Sequence, residues 1–339
     1  MKKINVESPS NIALIKYWGK FGKQLPCNPS LSFTLSKAKT ELTIELAEKK
    51  NKDQIVDLDF YFEGKSNEKF KAKMEKFLFE EKEHFFNLLN HKIIISSSNT
   101  FPHSSGIASS ASSMSAFVFA ALKLERELLG NDFLDDHHFY QLASSLSRIA
   151  SGSASRSLFS GLALWGDYLD IGTNQYAVGV EHLVDPRFKN FCDSIVIVSA
   201  KEKAVSSRAG HALMEHHPYR EVRFQVAKER LTSLLQAMKT YDLDTFIKIV
   251  ETEALDLHSL MMTSDPSFIL LEPKTIEVIK LLRSFREQTK IPVCFTLDAG
   301  PNLHVLFPSE FKNEVNEFLS TLNLPVIHDH VGNGTAVIA

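Results

Sequence analysis

The sequence predicts an α+β protein built as two domains, and three observations carry that expectation. The chain has 339 residues, and at roughly 150 residues per domain this length calls for about two cores. The N-terminal half alternates the two-residue period of strands with the period of helices, whereas the second half groups long helices ahead of strands, the order of an α+β sandwich. The composition, 44% hydrophobic and 23% charged, is that of a folded globular chain and excludes a disordered or collagen-like one.

Taken in order, Lys39 to Leu46 and Ile55 to Phe62 alternate apolar and polar residues, as half-buried strands do. Asn67 to Asn90 places Phe70, Met74, Phe77, Phe85 and Leu89 at largely helical spacing and predicts one helix. The short apolar strand Lys92 to Ser96 then gives way to a polar turn, Ser97 to Ser105, and to an Ala- and Ser-rich helix running to about Leu129. A strand is expected at Gly161 to Leu169, a break at Asp185-Pro186 and a further strand at Ser194 to Val198. The domain boundary is therefore placed between 185 and 192, dividing the chain into 1–188 and 189–339. Helices follow at Tyr219 to Lys239, Leu243 to Met262 and Glu272 to Gln288, then strands at Val293 to Leu297, Leu303 to Phe307 and Val326 to Asp329.

Charge and cysteine usage narrow the class of function. Lys and Arg total 38 against 41 Asp and Glu, a net charge of -3, which supplies no global field for nucleic acid or an anionic membrane. An anionic ligand must then be held by local groups. Cys27, Cys192 and Cys294 are odd in number and lack any Cys-x-x-Cys spacing, which disfavours a disulfide framework or a zinc site and suits a reducing cytoplasm. The start of the chain turns polar at once, and no apolar run approaches the ~18 residues that span a bilayer, so no membrane partner is expected.

Five stretches could carry chemistry. Pro102 to Ala111 puts Gly106 and several small hydroxyl residues where a loop becomes a helix. Free N–H groups and the helix dipole converge there, and glycine lets a phosphate approach the main chain. A Ser-rich helix start packed closely on a sheet explains the same residues equally well, and no Walker Gly-Lys-Ser/Thr follows. In Asn11 to Lys20, Lys16 and Lys20 bracket Tyr17, Trp18 and Gly19 without an acidic residue. The lysines could meet a phosphate, or the aromatics could be core anchors beside exposed lysines. Ser151 to Ser157 holds one arginine, Arg156, among small residues; its guanidinium suits a carboxylate ligand or a surface ion pair. Lys203 to Gly210 again mixes positive charge with hydroxyls. In Thr296 to Asn302 an apolar strand runs into Asp298 and a Gly-Pro turn, the setting of a strand-end acid or base and equally of an Asp that caps its own turn. The paired histidines at 137–138, 216–217 and 328/330 show no metal-site spacing, and no Gly-x-Ser-x-Gly elbow occurs.

In this order the motifs resemble the GHMP small-molecule kinase superfamily and, within it, the mevalonate diphosphate decarboxylase family. The resemblance rests on Asn-Ile-Ala at 11–13, Lys-Tyr-Trp-Gly-Lys at 16–20, Gly-Ile-Ala-Ser-Ser-Ala at 106–111, Ser-Gly-Ser-Ala-Ser-Arg at 151–156, Val-Ser-Ser-Arg at 205–208 and Asp-Ala-Gly-Pro-Asn at 298–302. It implies a ribosomal-protein-like N-terminal domain, a ferredoxin-like C-terminal α/β sandwich and an active site in the cleft between them. The implied reaction consumes ATP with Mg²⁺, phosphorylates the 3-hydroxyl of mevalonate 5-diphosphate, and then loses phosphate and CO₂ to give isopentenyl diphosphate. It implies Asp298, Arg156 and Lys16 as catalytic residues. Gly106, Ser109 and Ser110 would cradle the ATP phosphates, joined by Asn99 and by backbone at Ser105 and Ala108. Tyr17, Lys20, Ser151, Ser153, Arg156, Ser207 and Arg208 would bind substrate, and the family also implies a homodimer.

The sequence departs from the family at Phe21-Gly22 after Lys20, at Pro102 to Ser105, at His211 where methionine is usual, and at Val331 to Gly334. A mevalonate monophosphate decarboxylase, a mevalonate 3-kinase and a non-catalytic nucleotide sensor are the competing expectations. The Mg²⁺ ligands are not readable from the sequence.

Overall fold

The structure, a computed structural model, describes residues 2–101, 109–130, 135–200 and 207–338, with the side chains of 207–209 outside that set. The first half of the chain lays down β1 (Lys3–Ile15), the hairpin β2 (Lys20–Phe21) and β3 (Leu25–Pro26), β4 (Ser30–Glu48), β5 (Asp57–Phe62), β6 (Lys65–Ser66), α1 (Glu68–Glu80), β7 (His91–Asn99), α2 (Ser109–Leu129), α3 (Asp136–Ala150), β8 (Leu162–Trp165) and β9 (Ala177–Gly179). The second half adds β10 (Phe191–Val196), α4 (Ser207–Leu213), α5 (Arg220–Thr240), α6 (Leu243–Met262), α7 (Pro273–Thr289), β11 (Cys294–Leu297), β12 (Leu303–Pro308), α8 (Lys312–Thr321), β13 (Val326–His330) and β14 (Ala336–Ile338).

Two sheets result. The larger runs β14-β1-β4-β7-β5-β6, with β8 and β9 continuing from the other end of β4. The long strands alternate buried and more exposed residues where one face meets helices. The smaller sheet is antiparallel in the order β11-β12-β10-β13. Counted along the second half, this places the fourth strand beside the first, then the third and the second, which is the ferredoxin-like arrangement. The smaller sheet begins at Phe191, while the chain's last strand, β14, crosses back to pair with β1.

The two sheets share apolar packing. Phe33 of β4 lies 6.0 to 6.4 Å from the rings of Phe188, Phe191 and Phe246, and this cluster continues through Leu31, Ile195 and Leu231. A separate core under the larger sheet joins β4, β5 and β7 to α1, α2 and α3. There α2 approaches the strands on small residues: Ala111, Ser112, Ser115 and Ala116 are fully buried. The Ser112 hydroxyl meets that of Thr40 at 2.7 Å and the Ser115 hydroxyl meets that of Ser8 at 2.5 Å. Close packing on the sheet is therefore the role of these two serines.

Several expected elements change. The single helix across 67–90 ends at Glu80, and 82–84 and 88–90 are isolated 3₁₀ turns. The buried Glu125 carboxylate of α2 accepts from the backbone N–H of Asn87 at 3.0 Å and of Leu88 at 2.7 Å, capturing donors that a continuous helix would use. The strand expected at 161–169 stops at Trp165. Gly166 follows at φ 119°, where a side chain would meet the Pro29 backbone at 2.5 Å. The first strand, Lys3–Ile15, is not among the expected elements although Lys3 to Glu7 alternates polar and apolar residues, and β4 extends well beyond Lys39 to Leu46.

Candidate active site

The site is assembled where β1 ends. Pairing between β1 and β4 shifts register after Pro9 and again after Ala13, and such irregularities turn a strand and re-aim the residues that follow. Lys16 emerges immediately after the second shift and is 1% exposed. Its Nζ donates to the Ala13 carbonyl at 2.5 Å and to Thr296 Oγ1 of β11 at 2.8 Å, so one ammonium spans both sheets. Burial pulls its pKa down to about 8, an effect opposed by the charges of Asp298 and Glu253 and reinforced by those of Arg156 and Arg223.

Arg156 ends a 3₁₀ turn, Gly152–Arg156, and is 3% exposed. Its Nε donates to Asn11 Oδ1 at 3.2 Å and its Nη1 to Ser30 Oγ at 2.6 Å. Asn11 in turn donates from Nδ2 to Ser157 Oγ at 2.8 Å and to the Ser153 carbonyl at 3.1 Å, locking the turn onto β1. Burial lowers the Arg156 pKa to about 10, against the opposing pull of Asp298. Asp298, half-buried, follows β11 directly. Its carbonyl accepts from His258 Nε2 of α6 at 3.1 Å and from Gly300 N–H at 2.8 Å, so its main chain is fixed from two directions.

The Asn302 side chain at the end of the same motif holds a different segment. Its Oδ1 accepts from the N–H groups of Val198 and Ser199 at 2.8 and 2.9 Å, and its Nδ2 donates back to the Ser199 carbonyl at 3.0 Å. It thereby anchors the exit of β10 towards α4.

Tyr17 and Trp18 form an aromatic wall. The Tyr17 ring lies 4.6 Å from Trp165 and 4.2 Å from His211, and Trp18 lies 4.7 Å from His211. A side chain at Gly152 would meet the Tyr17 ring at 2.9 Å, and one at Gly210 would collide with Trp18. The Tyr17 hydroxyl is buried and lacks a hydrogen-bond partner among the described residues; burial raises its pKa. His211 Nδ1 accepts the Gly19 N–H at 3.1 Å, which leaves the proton on Nε2. Burial, followed by the charge of Lys20, pushes its pKa down to about 3, so the ring is neutral.

The structure thus brings Lys16 and Arg156 within electrostatic reach of Asp298 and sets Tyr17 near Arg156, with Ser151 and Ser153 half-buried in the turn that carries Arg156. Lys20 stands on β2 with its Nζ 2.7 Å from Gln24 Oε1, and its charge reaches His211. Asn99 ends β7 and accepts from Thr40, whose hydroxyl also meets Ser112, tying it to the first turns of α2. Ser109 and Ser110 open that 21-residue helix, Ser110 exposed and no acidic residue in the first turn, a setting that fits phosphate oxygens. Ser105, Gly106 and Ala108 lie outside the described residues, as do the side chains of Ser207 and Arg208. Among the described residues no group of three or more His, Cys, Asp or Glu side chains could hold a metal ion. A Mg²⁺ carried on nucleotide phosphates needs no such cage.

Three groups escaped the sequence reading, and Thr296, named there only as the start of a stretch, gains a role. Glu253 and Arg223 are fully buried against the Lys16 backbone, Asn28 donates to the Lys16 carbonyl at 2.9 Å, and Thr296 receives the Lys16 ammonium. The one signal for Glu253 is an acidic residue on the face of α6 that otherwise buries Phe246, Val250, Ala254 and Leu257.

A long helix opening on hydroxyls, two buried cations around one carboxylate, and a ferredoxin-like second sheet together define the GHMP small-molecule kinase class. Residues 8–177 match the diphosphomevalonate decarboxylase-like N-terminal domain, and residues 194–333 match the mevalonate 5-diphosphate decarboxylase C-terminal domain. The chain belongs to the mevalonate diphosphate decarboxylase family. It is 30% identical to the diphosphomevalonate decarboxylase of Schizosaccharomyces pombe over 330 residues, covering 90% of this chain and 78% of that one. It also resembles the solved mevalonate diphosphate decarboxylase from Enterococcus faecalis, with TM-score 0.82 and 27% identity over 99% of this chain and 98% of that chain. A structure described as MDDEF in complex with MVAPP, AMPPCP and magnesium has TM-score 0.84 and 28% identity over 99% and 98% of the two chains. No helix among the described residues is long and apolar enough to cross a membrane.

Proposed function

We propose that this protein is an ATP- and Mg²⁺-dependent decarboxylase that converts mevalonate 5-diphosphate to isopentenyl diphosphate, ADP, phosphate and CO₂. The observation that carries the reading is a charge imbalance. Lys16 and Arg156, both buried, have Asp298 as their shared carboxylate, while Glu253 is engaged by Arg223 and Arg230. Among the described residues two desolvated cations share one carboxylate, Glu253 and Asp193 acting on Lys16 alone; this favours an anionic ligand, and the substrate supplies a carboxylate as well as phosphate groups.

Asp298 accepts or steers the proton of the 3-hydroxyl as that oxygen attacks the γ-phosphorus, and ADP departs. The C3–O bond of the 3-phosphorylated intermediate then breaks, phosphate leaves with the bonding pair and with the proton that Asp298 had taken, and the Asp298 carboxylate, ionised again, stabilises positive charge growing on C3. The C1–C2 bond breaks next; its electron pair becomes the C2–C3 double bond, and C1 leaves as CO₂. Arg156, held by Asn11 and Ser30, presents its fork to the C1 carboxylate and aligns that bond for cleavage. Lys16 neutralises charge near the transferred phosphoryl group. Mg²⁺, when bound with the nucleotide, offsets phosphate charge.

The remaining roles rest on the motif resemblance together with placement. Gly106, Ser109 and Ser110, with Asn99 and the backbone of Ser105 and Ala108, bind ATP. Tyr17, Lys20, Ser151, Ser153, Ser207 and Arg208 bind substrate, the last two through its diphosphate. The division at 188/189 then separates the phosphate-binding part from the part carrying Asp298. A cytoplasmic location is supported by three free cysteines, and a homodimer by family resemblance; light scattering on the purified protein tests the latter.

The reading is tested by product balance with ATP, Mg²⁺ and either mevalonate mono- or diphosphate. Equimolar ADP, phosphate and CO₂ from the diphosphate is expected. ADP without CO₂, or turnover of the monophosphate alone, overturns it.

A further inference from the structure

The segment that carries Lys16 is gripped by charged groups that no motif includes. Glu253 of α6 has a fully buried side chain, and its Oε2 accepts the Lys16 backbone N–H at 2.9 Å. Arg223 of α5 donates to both Glu253 oxygens at 2.7 and 2.8 Å, and its Nη2 also reaches the Lys16 carbonyl at 3.2 Å. Arg230 adds a third donor to Glu253 at 2.8 Å and pairs on its outer side with Asp256. Both peptide groups of Lys16 are therefore held by one buried ion cluster that bridges α5 and α6.

We infer that Glu253, locked by Arg223 and Arg230, is a positioning residue for the reaction, fixing the Lys16 backbone and supplying the negative charge that keeps the Lys16 ammonium protonated. The inference rests on the reading that the Lys16 cation serves phosphoryl transfer. A buried ion cluster gains little stability over apolar packing, so its placement on this peptide calls for a reason beyond holding two helices together. Thr296 and the Ala13 carbonyl already direct Nζ; the cluster directs the main chain from which that side chain springs.

Electrostatics gives a readout that a purely structural brace would not move. Among the described residues the charged groups facing Lys16 are Asp298 after β11, Glu253 on α6, Arg156 in the turn before β8, Arg223 on α5 and Asp193 on β10. Removing the Glu253 charge takes away support for the protonated amine, so Lys16 should titrate at lower pH. Arg230 acts through Glu253: it offsets part of the Glu253 charge from the rim of the cluster, at 22% exposure, so removing it leaves Glu253 more negative towards Lys16 and should move the titration to higher pH. Shifts of several tenths to about one pH unit are expected when one charge of such a cluster is removed.

The test follows the Lys16 ε-methylene by NMR in protein labelled with ¹³C-lysine, alongside the pH profile of kcat, for wild type, Glu253→Gln and Arg230→Gln. Opposite shifts in the two variants, with the alkaline limb of kcat following each, are expected. An unmoved Lys16 titration in folded variants, whatever their stability, overturns the inference. If Glu253→Gln does not fold, Arg230→Gln decides alone: an upward shift supports the inference and an unchanged titration overturns it. Shifted Lys16 titrations with an unmoved kcat limb would support the charge control and overturn the catalytic reading of Lys16.

Discussion

At the scale of single residues, the site is built from charges that burial has made costly and neighbours have made tolerable. Arg156 shows how narrow the tolerance is, because its Nε and Nη1 are both committed, to Asn11 and Ser30. Arg156→Lys keeps the charge and loses the fork. Each lost charged hydrogen bond is worth about 1.5–3 kcal/mol, so kcat/KM for the substrate should fall at least roughly tenfold with ATP affinity retained, as steady-state kinetics would show. His211 makes a second case. Its folded-state pKa of about 3 lies below the ordinary 6.5, so between those values the unfolded chain binds the extra proton. The stability tied to this group is present above about pH 6.5 and is lost as pH falls towards 3. Denaturant titrations of His211→Met should show a flatter dependence across that window; an unchanged slope would contradict the assignment.

At the scale of elements, close approaches without side chains decide where the aromatic wall stands. Gly210 lets α4 lie against Trp18, and Gly210→Ala should cost about 1–3 kcal/mol as an overpacked contact, measured by thermal or chemical unfolding, with weakened substrate binding beside it. Asn302 is the brace between the Asp298 turn and the exit of β10. Asn302→Ala leaves the part-buried N–H groups at 198 and 199 without their acceptor, a loss of about 1 kcal/mol, and should raise KM for the diphosphate more than it lowers kcat, as steady-state kinetics would show. These element-level links explain what the sequence could reveal. The strand-turn setting of Asp298, the long helices of the second half and the Ser/Ala helix were legible because each depends on local periodicity. The 67–90 region misled because its apolar spacing is helical, while Glu125, distant in sequence, captures the backbone donors that would continue the helix. Lys3–Ile15 escaped because its alternation runs only from Lys3 to Glu7 before the polar, Pro-containing run Ser8 to Asn11, where the first register shift falls.

At the scale of the whole molecule, function depends on bringing the end of β1 against β11 across two sheets. Lys16 meets Thr296, and Arg156 and Lys16 share Asp298, only because the Phe33, Phe188, Phe191 and Phe246 core fixes one sheet on the other. The motif residues were legible as candidates, yet their convergence was not, since sequence separations of 140 and more divide Lys16, Arg156 and Asp298, and no local pattern encodes which groups meet. The roles of Glu253 and Arg223 were hidden for the same reason: their meaning appears only when α5 and α6 close on Lys16. The central claim is that Asp298 serves both the proton of the attacking hydroxyl and the charge that follows. Its most direct test is single-turnover analysis of Asp298→Asn with ATP, Mg²⁺ and mevalonate diphosphate, reading ADP and CO₂ separately and ATP affinity by equilibrium binding. The account predicts unchanged ATP affinity with ADP and CO₂ formation both slowed by ~10²- to 10⁴-fold; a variant that releases CO₂ at the wild-type rate would contradict it.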